Sequence, residues 1–161
     1  MDFKQSSKDI QEHRLVVEGI KSSLMSLGDV TLGEIRVLEL AHLNHLMTPI
    51  HMQLHHRVSY EEIASALHPT PALGAFPKEA GRHWLTAFAK KMPRGRYGAP
   101  FGVVVPQQKK AQFLVAIRNI QWNSEEIRMG AGCGVIRESC PEKEWEEIEL
   151  KMQAIRGTLD L

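Results

Sequence analysis

Phe101-Gly102-Val103-Val104-Val105 and, beyond a polar turn, Gln112-Phe113-Leu114-Val115-Ala116-Ile117-Arg118-Asn119-Ile120-Gln121-Trp122 form the stretch on which the fold class depends. Its β-branched and aromatic content, bounded by Gln107-Gln108-Lys109-Lys110 and Asn123-Ser124, predicts strands over Phe101 to Val105, Gln112 to Trp122 and Ile127 to Gly132. Strands so spaced suit a meander. Downstream, Trp145, Ile148, Met152 and Ile155 recur at helical spacing and predict a helix from Glu142 to Arg156, with Gly157 as its stop. Upstream, Ala80, Trp84, Leu85, Phe88 and Ala89 predict a helix that Pro77 opens and Pro93 closes.

Further out, His68-Pro69-Thr70-Pro71 must be extended, because each proline disfavours helix in the residue before it. Ser59-Tyr60-Glu61-Glu62 has the form of a capping box and predicts a short helix to about Leu67. Between Val30 and Leu54, Ile35, Val37, Leu38, Leu40, Leu46 and Ile50 predict one or two strands broken near Pro49. Ile10, Val16, Val17, Ile20, Leu24 and Leu27 give an amphipathic helix from Asp9 to about Leu27, ended by Gly28-Asp29. The fold class is therefore α+β (α/β), an antiparallel sheet flanked by helices.

A chain of 161 residues, 43% hydrophobic and 24% charged, is long enough for one globular domain with a core. Twenty Lys and Arg against 19 Asp and Glu leave a formal net charge of +1 with no basic stripe, which argues against nucleic acid as a partner. No apolar run approaches the roughly 20 residues that cross a bilayer, so no membrane span is expected. Cys133 and Cys140, with no apolar signal segment at the N-terminus, point to free thiols in a reducing cytoplasm.

Glu144, Glu147 and Lys151 stand at i, i+3 and i+7 on one face of the last helix, bordering its apolar stripe. Carboxylates there supply hard oxygen ligands for Mg²⁺, and the lysine can meet an anion; an ordinary i, i+4 pair on a solvated face accounts for the same spacing. Glu12 and His13 fall at the edge and within the stripe of the first helix, where a hydrogen-bonded structural histidine is the simpler reading. Met129-Gly130-Ala131-Gly132-Cys133-Gly134 brings backbone N–H groups close together, as an anion site or as a glycine-rich turn. Arg118 is a charge in an apolar strand, facing solvent or gripping a carboxylate. The histidines at 42, 45, 51, 55, 56 and 68 match no closed zinc pattern and read as a surface cluster.

Taken in order, these segments resemble the chorismate-binding enzyme family from about Lys8 to Lys151. Lys8-Asp9-Ile10-Gln11-Glu12-His13-Arg14-Leu15-Val16-Val17 is similar to the family's KDxxEHxxVV helix, and His68-Pro69-Thr70-Pro71-Ala72-Leu73-Gly74 to its HPTPAxGG loop. Arg94 to Gly102 resembles RGxYxGPxG, Val115 to Arg118 resembles VAIR, and Gly130 to Glu147 resembles GAGIVxxSxPxxEWxE. The HPTPA form is that of isochorismate and related synthases.

The resemblance implies an isochorismate synthase-like enzyme that converts chorismate to isochorismate with Mg²⁺. It implies Glu12, Glu144 and Glu147 as the metal ligands. Tyr97, Arg118, the backbone at Gly132 and Lys151 would surround a substrate carboxylate, with His68 and Thr70 lining the ring. The family's lysine base and glutamic acid belong to the part of the domain that precedes KDxxEH, and no residue here matches either. A complementing N-terminal fragment or a second copy is the expected protein partner. A salicylate synthase-like enzyme and an inactive binding or assembly module are the alternatives; the first shares the same binding residues.

Overall fold

The computed structural model describes residues 7–39 and 44–158. The chain divides into two compact units, Met1–His83 and Trp84–Leu161.

The first unit opens with helix α1, Ser7–Leu24, with Asp9 in its first turn and Lys21 in its last, each favourable to the helix dipole. Strand β1 (Gly28–Leu32) lies antiparallel to β4 (Ile50–Leu54), Val30 opposite Met52. Between them β2 (Arg36–Glu39) pairs with β3 (Asn44–Met47). The stretch expected to hold one or two strands therefore holds four. Gly33 N–H donates to Pro49 O at 2.8 Å, which closes the outer pair and lets the chain leave it as a second hairpin. Leu40 and His42 lie outside the described residues.

Helix α2, Tyr60–Leu67, begins as its sequence requires. Glu62 N–H donates to Ser59 Oγ at 3.1 Å and Ser59 N–H to Glu62 Oε2 at 2.8 Å, the reciprocal capping box. His68 then turns extended, as the following proline demands. The loop that it opens packs on α1 at Gly19, where an added Cβ would stand 2.3 Å from Pro71 Cγ.

Helix α3, Lys78–Lys91, runs across the division between the units. In the second unit Trp84 and Phe88 stack along it with ring centroids 5.1 Å apart. Strands β5 (Pro100–Val105) and β6 (Lys110–Val115) form one antiparallel hairpin, and β7 (Ile120–Trp122) and β8 (Ile127–Met129) another. The expected strand from Gln112 to Trp122 is thus broken, and two hairpins replace a three-strand meander. The break follows from Asn119, whose Nδ2 donates to Ala116 O at 2.5 Å and turns the chain there. Arg118 sits beside this turn at φ +53°, outside any strand.

Helix α4 spans Pro141–Thr158 and runs through Gly157 rather than stopping at it. That glycine is exposed, and an exposed helical glycine costs only about 1 kcal/mol. Trp145 departs from the expected apolar side: it is exposed, and its indole N–H donates to Glu149 Oε1 at 3.0 Å. The buried side of α4 carries Ile155 and, against the expectation of a solvated face, Glu144, which is only 6% exposed.

Among the described residues Leu24 and Ile155 are the buried apolar side chains. The chain exposes 12450 Å². Two separate compact globules of half the mass would together expose about 9,800 Å² by the usual scaling. In the second unit Phe101, Leu114 and Trp122 are 70, 61 and 76% exposed and, with Ile117, line an open groove of about 700 Å³.

The contact at Gly19 has a testable sign. In an isolated helix Gly→Ala gains about 0.8–1 kcal/mol. Here the new methyl group would meet the Pro71 ring, so Gly19→Ala is expected to lower the urea midpoint; an unchanged or higher midpoint would show that the loop does not press on α1.

Candidate active site

In the second unit the site is built outward from the Arg94–Gly98 turn, which leads from α3 into β5. Tyr97 N–H donates to Arg94 O at 3.0 Å, and Gly98 N–H to Ala116 O at 2.8 Å, which ties the turn to the end of β6. The Tyr97 ring lies against Gly130, where a Cβ would stand 2.7 Å from ring Cδ2. Its hydroxyl is 3.6 Å from where a Cβ on Gly132 would be, so the glycines leave the space that the phenol fills. Burial pushes the Tyr97 phenol above its ordinary value, opposed by the Arg118 and Arg94 guanidinium charges. A neutral O–H donor beside two guanidinium groups is equipment for an anion.

Arg118 reaches this neighbourhood from the left-handed conformation described above, which costs a non-glycine residue on the order of 1 kcal/mol. Across from it, Lys151 Nζ donates to Gly132 O at 2.8 Å and pairs with Glu147 one turn earlier on α4. Cys133 stands between these groups. Burial raises its thiol, as do the nearby Glu144 and Glu147 carboxylates, while Lys151 acts the other way. Tyr97, Arg118, Gly132, Glu144, Glu147 and Lys151 are all in this unit. In the sequence Arg94 stands as part of a motif and Cys133 as a free thiol within the glycine-rich segment; no spacing signal marks Arg94 as a charge on Tyr97, or Cys133 as a neighbour of Glu144.

In the first unit Lys8 Nζ lies 3.0 Å from Glu12 Oε1 on α1. His13 Nε2 hydrogen-bonds Thr48 Oγ1 at 2.7 Å, a structural role. His68 ends α2, with Nδ1 buried and, among the described residues, without a hydrogen-bond partner. Burial lowers its pKa and the nearby Lys78 ammonium adds to the effect, so the ring is neutral at pH 7. Thr70 O accepts from Leu73 N–H at 3.0 Å and Gly74 N–H at 2.8 Å, which shapes the turn after it. Of the histidine cluster, His55 lies 3.1 Å from Asp29.

Among the described residues no three His, Cys, Asp or Glu side chains converge as a ready metal group. Mg²⁺ does not require three, since it is bound through one or two carboxylates with water and substrate oxygens completing its shell. Glu144 and Glu147, i and i+3 on one helix, are such a pair of hard donors.

A buried carboxylate helix face beside a phenol, guanidinium groups and a glycine-rich segment is accompanied by a family match over residues 2–160, and the chain belongs to the chorismate binding enzyme family. Its relatives include isochorismate synthases and, at 26% identity, an anthranilate synthase component 1. It is 36% identical over 158 residues to the salicylate biosynthesis isochorismate synthase of Pseudomonas aeruginosa, covering 96% of this chain and 32% of that protein. It is 33% identical to an isochorismate synthase of Bacillus subtilis, covering 99% of this chain and 34% of that one. Among solved structures, one described as a 2,3-dihydroxybenzoate-specific isochorismate synthase of Bacillus anthracis matches with a TM-score of 0.82 at 31% identity, covering 98% of this chain and 42% of that chain. The chain thus spans about a third of the length of the curated relatives. The α+β fold agrees with these neighbours. No helix among the described residues is long and apolar enough to cross a membrane.

His13 and His68 set a pH dependence. Both are held below the ordinary value of 6.5, so the unfolded chain takes up protons first. Their contribution to stability is complete above 6.5 and declines as pH falls through that value toward the lower folded ones. The urea midpoint is expected to drop between pH 7.5 and 5.5, and to drop less in the His13→Asn/His68→Asn double variant; equal slopes in both proteins would contradict this.

Proposed function

We propose that this chain is the substrate- and metal-binding portion of an isochorismate synthase, holding chorismate and Mg²⁺ for conversion to isochorismate. The observation that carries the reading is the gathering of Tyr97, Arg118 and Lys151 next to the buried carboxylate of Glu144 and to Glu147 in one unit. Chorismate is a dianion, and such a ligand suits cationic side chains on one carboxylate and a carboxylate-held cation on the other.

The Tyr97 hydroxyl donates to the substrate carboxylate while the Arg118 guanidinium and Lys151 ammonium neutralise it. The Gly130–Gly132 segment leaves room for that carboxylate to approach closely. His68, neutral at pH 7, and Thr70 are the residues that the family resemblance assigns to the substrate ring. Glu144 and Glu147 would hold Mg²⁺, which when bound neutralises a carboxylate and polarises the site. Holding the ring in one orientation is itself a large part of such catalysis.

Proton transfer from the attacking water and to the leaving hydroxyl requires a base and an acid that no residue here matches, and groups of that kind supply about 10² to 10⁴ each. Turnover therefore calls for the preceding part of the domain, in the same polypeptide or in a complementing one. The open groove and the exposed Phe101, Leu114 and Trp122 support that need. Free thiols at Cys133 and Cys140 accord with work in the cytoplasm.

Calorimetry of chorismate binding with and without Mg²⁺ tests the reading, together with chromatography of products after addition of the preceding part of a family domain. Mg²⁺-dependent binding is expected, weakened about tenfold or more by Lys151→Ala, as for loss of a charge-assisted hydrogen bond. Glu147→Gln is expected to remove the Mg²⁺ dependence, and Glu12→Gln, at the third position that the family resemblance assigns to the ion, is measured alongside. Isochorismate should appear only in the complemented mixture. Salicylate with pyruvate would identify a salicylate synthase instead, and binding without turnover in any mixture would leave a binding module. Absence of chorismate binding would end the proposal.

A further inference from the structure

The turn that presents Tyr97 has two ends, and they are held differently. Its far end is fixed by backbone pairs to strand β6, through Gly98 N–H to Ala116 O at 2.8 Å and Ala116 N–H to Ala99 O at 2.9 Å. Its near end contains Gly95 at φ +57°, a conformation that glycine adopts freely; Gly98, at φ +80°, lies at the end that the backbone pairs hold. One side chain spans the near end. Gln121, half-buried on β7, accepts from Arg96 N–H through Oε1 at 2.9 Å. Its Nε2 donates at 3.5 Å to Arg94 O, the carbonyl that also receives Tyr97 N–H. The amide can approach so closely because Gly95 has no side chain: a Cβ there would stand 2.6 Å from Gln121 Oε1.

We propose that Gln121 is a positioning residue for substrate binding, its side-chain amide clamping the peptide groups on either side of Gly95 so that the Tyr97 hydroxyl is held against Gly132. It acts through the turn, and no role in touching substrate is assigned to it. The proposal rests on the reading of Tyr97 as a substrate-carboxylate donor. Without the amide, the near half of the turn is free to pivot at Gly95 while the far half remains anchored. The Tyr97 ring then samples positions off the glycine wall, and the ligand must reorder it on binding.

Three readouts on two variants test this. Gln121→Leu removes both hydrogen bonds at similar size, and Gln121→Glu keeps an acceptor for Arg96 N–H. In Gln121→Leu, hydrogen exchange at the Arg96 amide should accelerate, the Tyr97 ring resonances should shift, and the Kd for chorismate with Mg²⁺ should rise about five- to tenfold, the loss of one ordinary hydrogen bond's ordering. Gln121→Glu should restore Arg96 protection, the ring resonances and a Kd closer to that of the unmodified protein. A merely structural staple would lower the urea midpoint and leave the Kd and ring resonances unmoved, which overturns the proposal. Unchanged Arg96 exchange in Gln121→Leu overturns it too. If the unmodified protein does not bind chorismate, the functional reading fails by itself, and exchange with the ring resonances still decides whether Gln121 fixes Tyr97.

Discussion

One ammonium group, Lys151 Nζ, joins the glycine-rich segment to the last helix: it donates to Gly132 O and at the same time pairs with Glu147 a turn earlier. Around that tie the rest of the second unit's site is arranged. The glycine segment forms the surface on which Tyr97 rests, and Cys133 within it lies near Glu144 on the same helix. The tie is also an exchangeable one. In the proposed function Glu147 turns to a divalent ion and Lys151 to a carboxylate, so one internal ion pair is replaced by two with the ligands. Neither ligand alone completes that replacement, because each leaves one member of a partly buried pair uncompensated.

This arrangement accounts for a carboxylate placed on the buried side of a helix. Glu144 is less exposed than Trp145 beside it, the reverse of what side-chain polarity alone dictates. A buried carboxylate needs partners to remain charged. The Cys133 thiol lies near it, and in the proposed function a bound cation is the partner that this carboxylate meets. Natural sequences depart from local rules where function requires it, and in the proposed function the face carrying Glu144 is such a departure.

How much the sequence disclosed depended on how local the cause was. The capping box at Ser59 and Glu62, the extended residue before Pro69 and the hydrophobic spacing of α1 are determined by neighbours within a turn, and each was legible. The break after β6 was not, because Ala116 to Ile120 is apolar enough to continue a strand, and only the Asn119 side-chain bond to Ala116 turns it. The same is true of Gly157, which ends helices elsewhere but is tolerated on an exposed face. Hydrophobicity misplaced Trp145 because the α4 surface that it assigned to a core holds charged site residues. The residues of the proposed anion site were found through family resemblance; the influence of Arg94 on Tyr97 and the proximity of Cys133 to Glu144 arise between segments that no periodicity joins.

The central claim is that the carboxylates of α4 and the cationic wall around Tyr97 serve one ion and one substrate. Paramagnetic Mn²⁺ substituted for Mg²⁺, with chorismate present and amide resonances assigned, tests it most directly. The account predicts that signals around Gly132 to Gly134 and around Glu144 and Glu147 broaden together, and that they recover when Mg²⁺ is added in excess. Broadening centred on His51 and His55 while those amides remain sharp would contradict it.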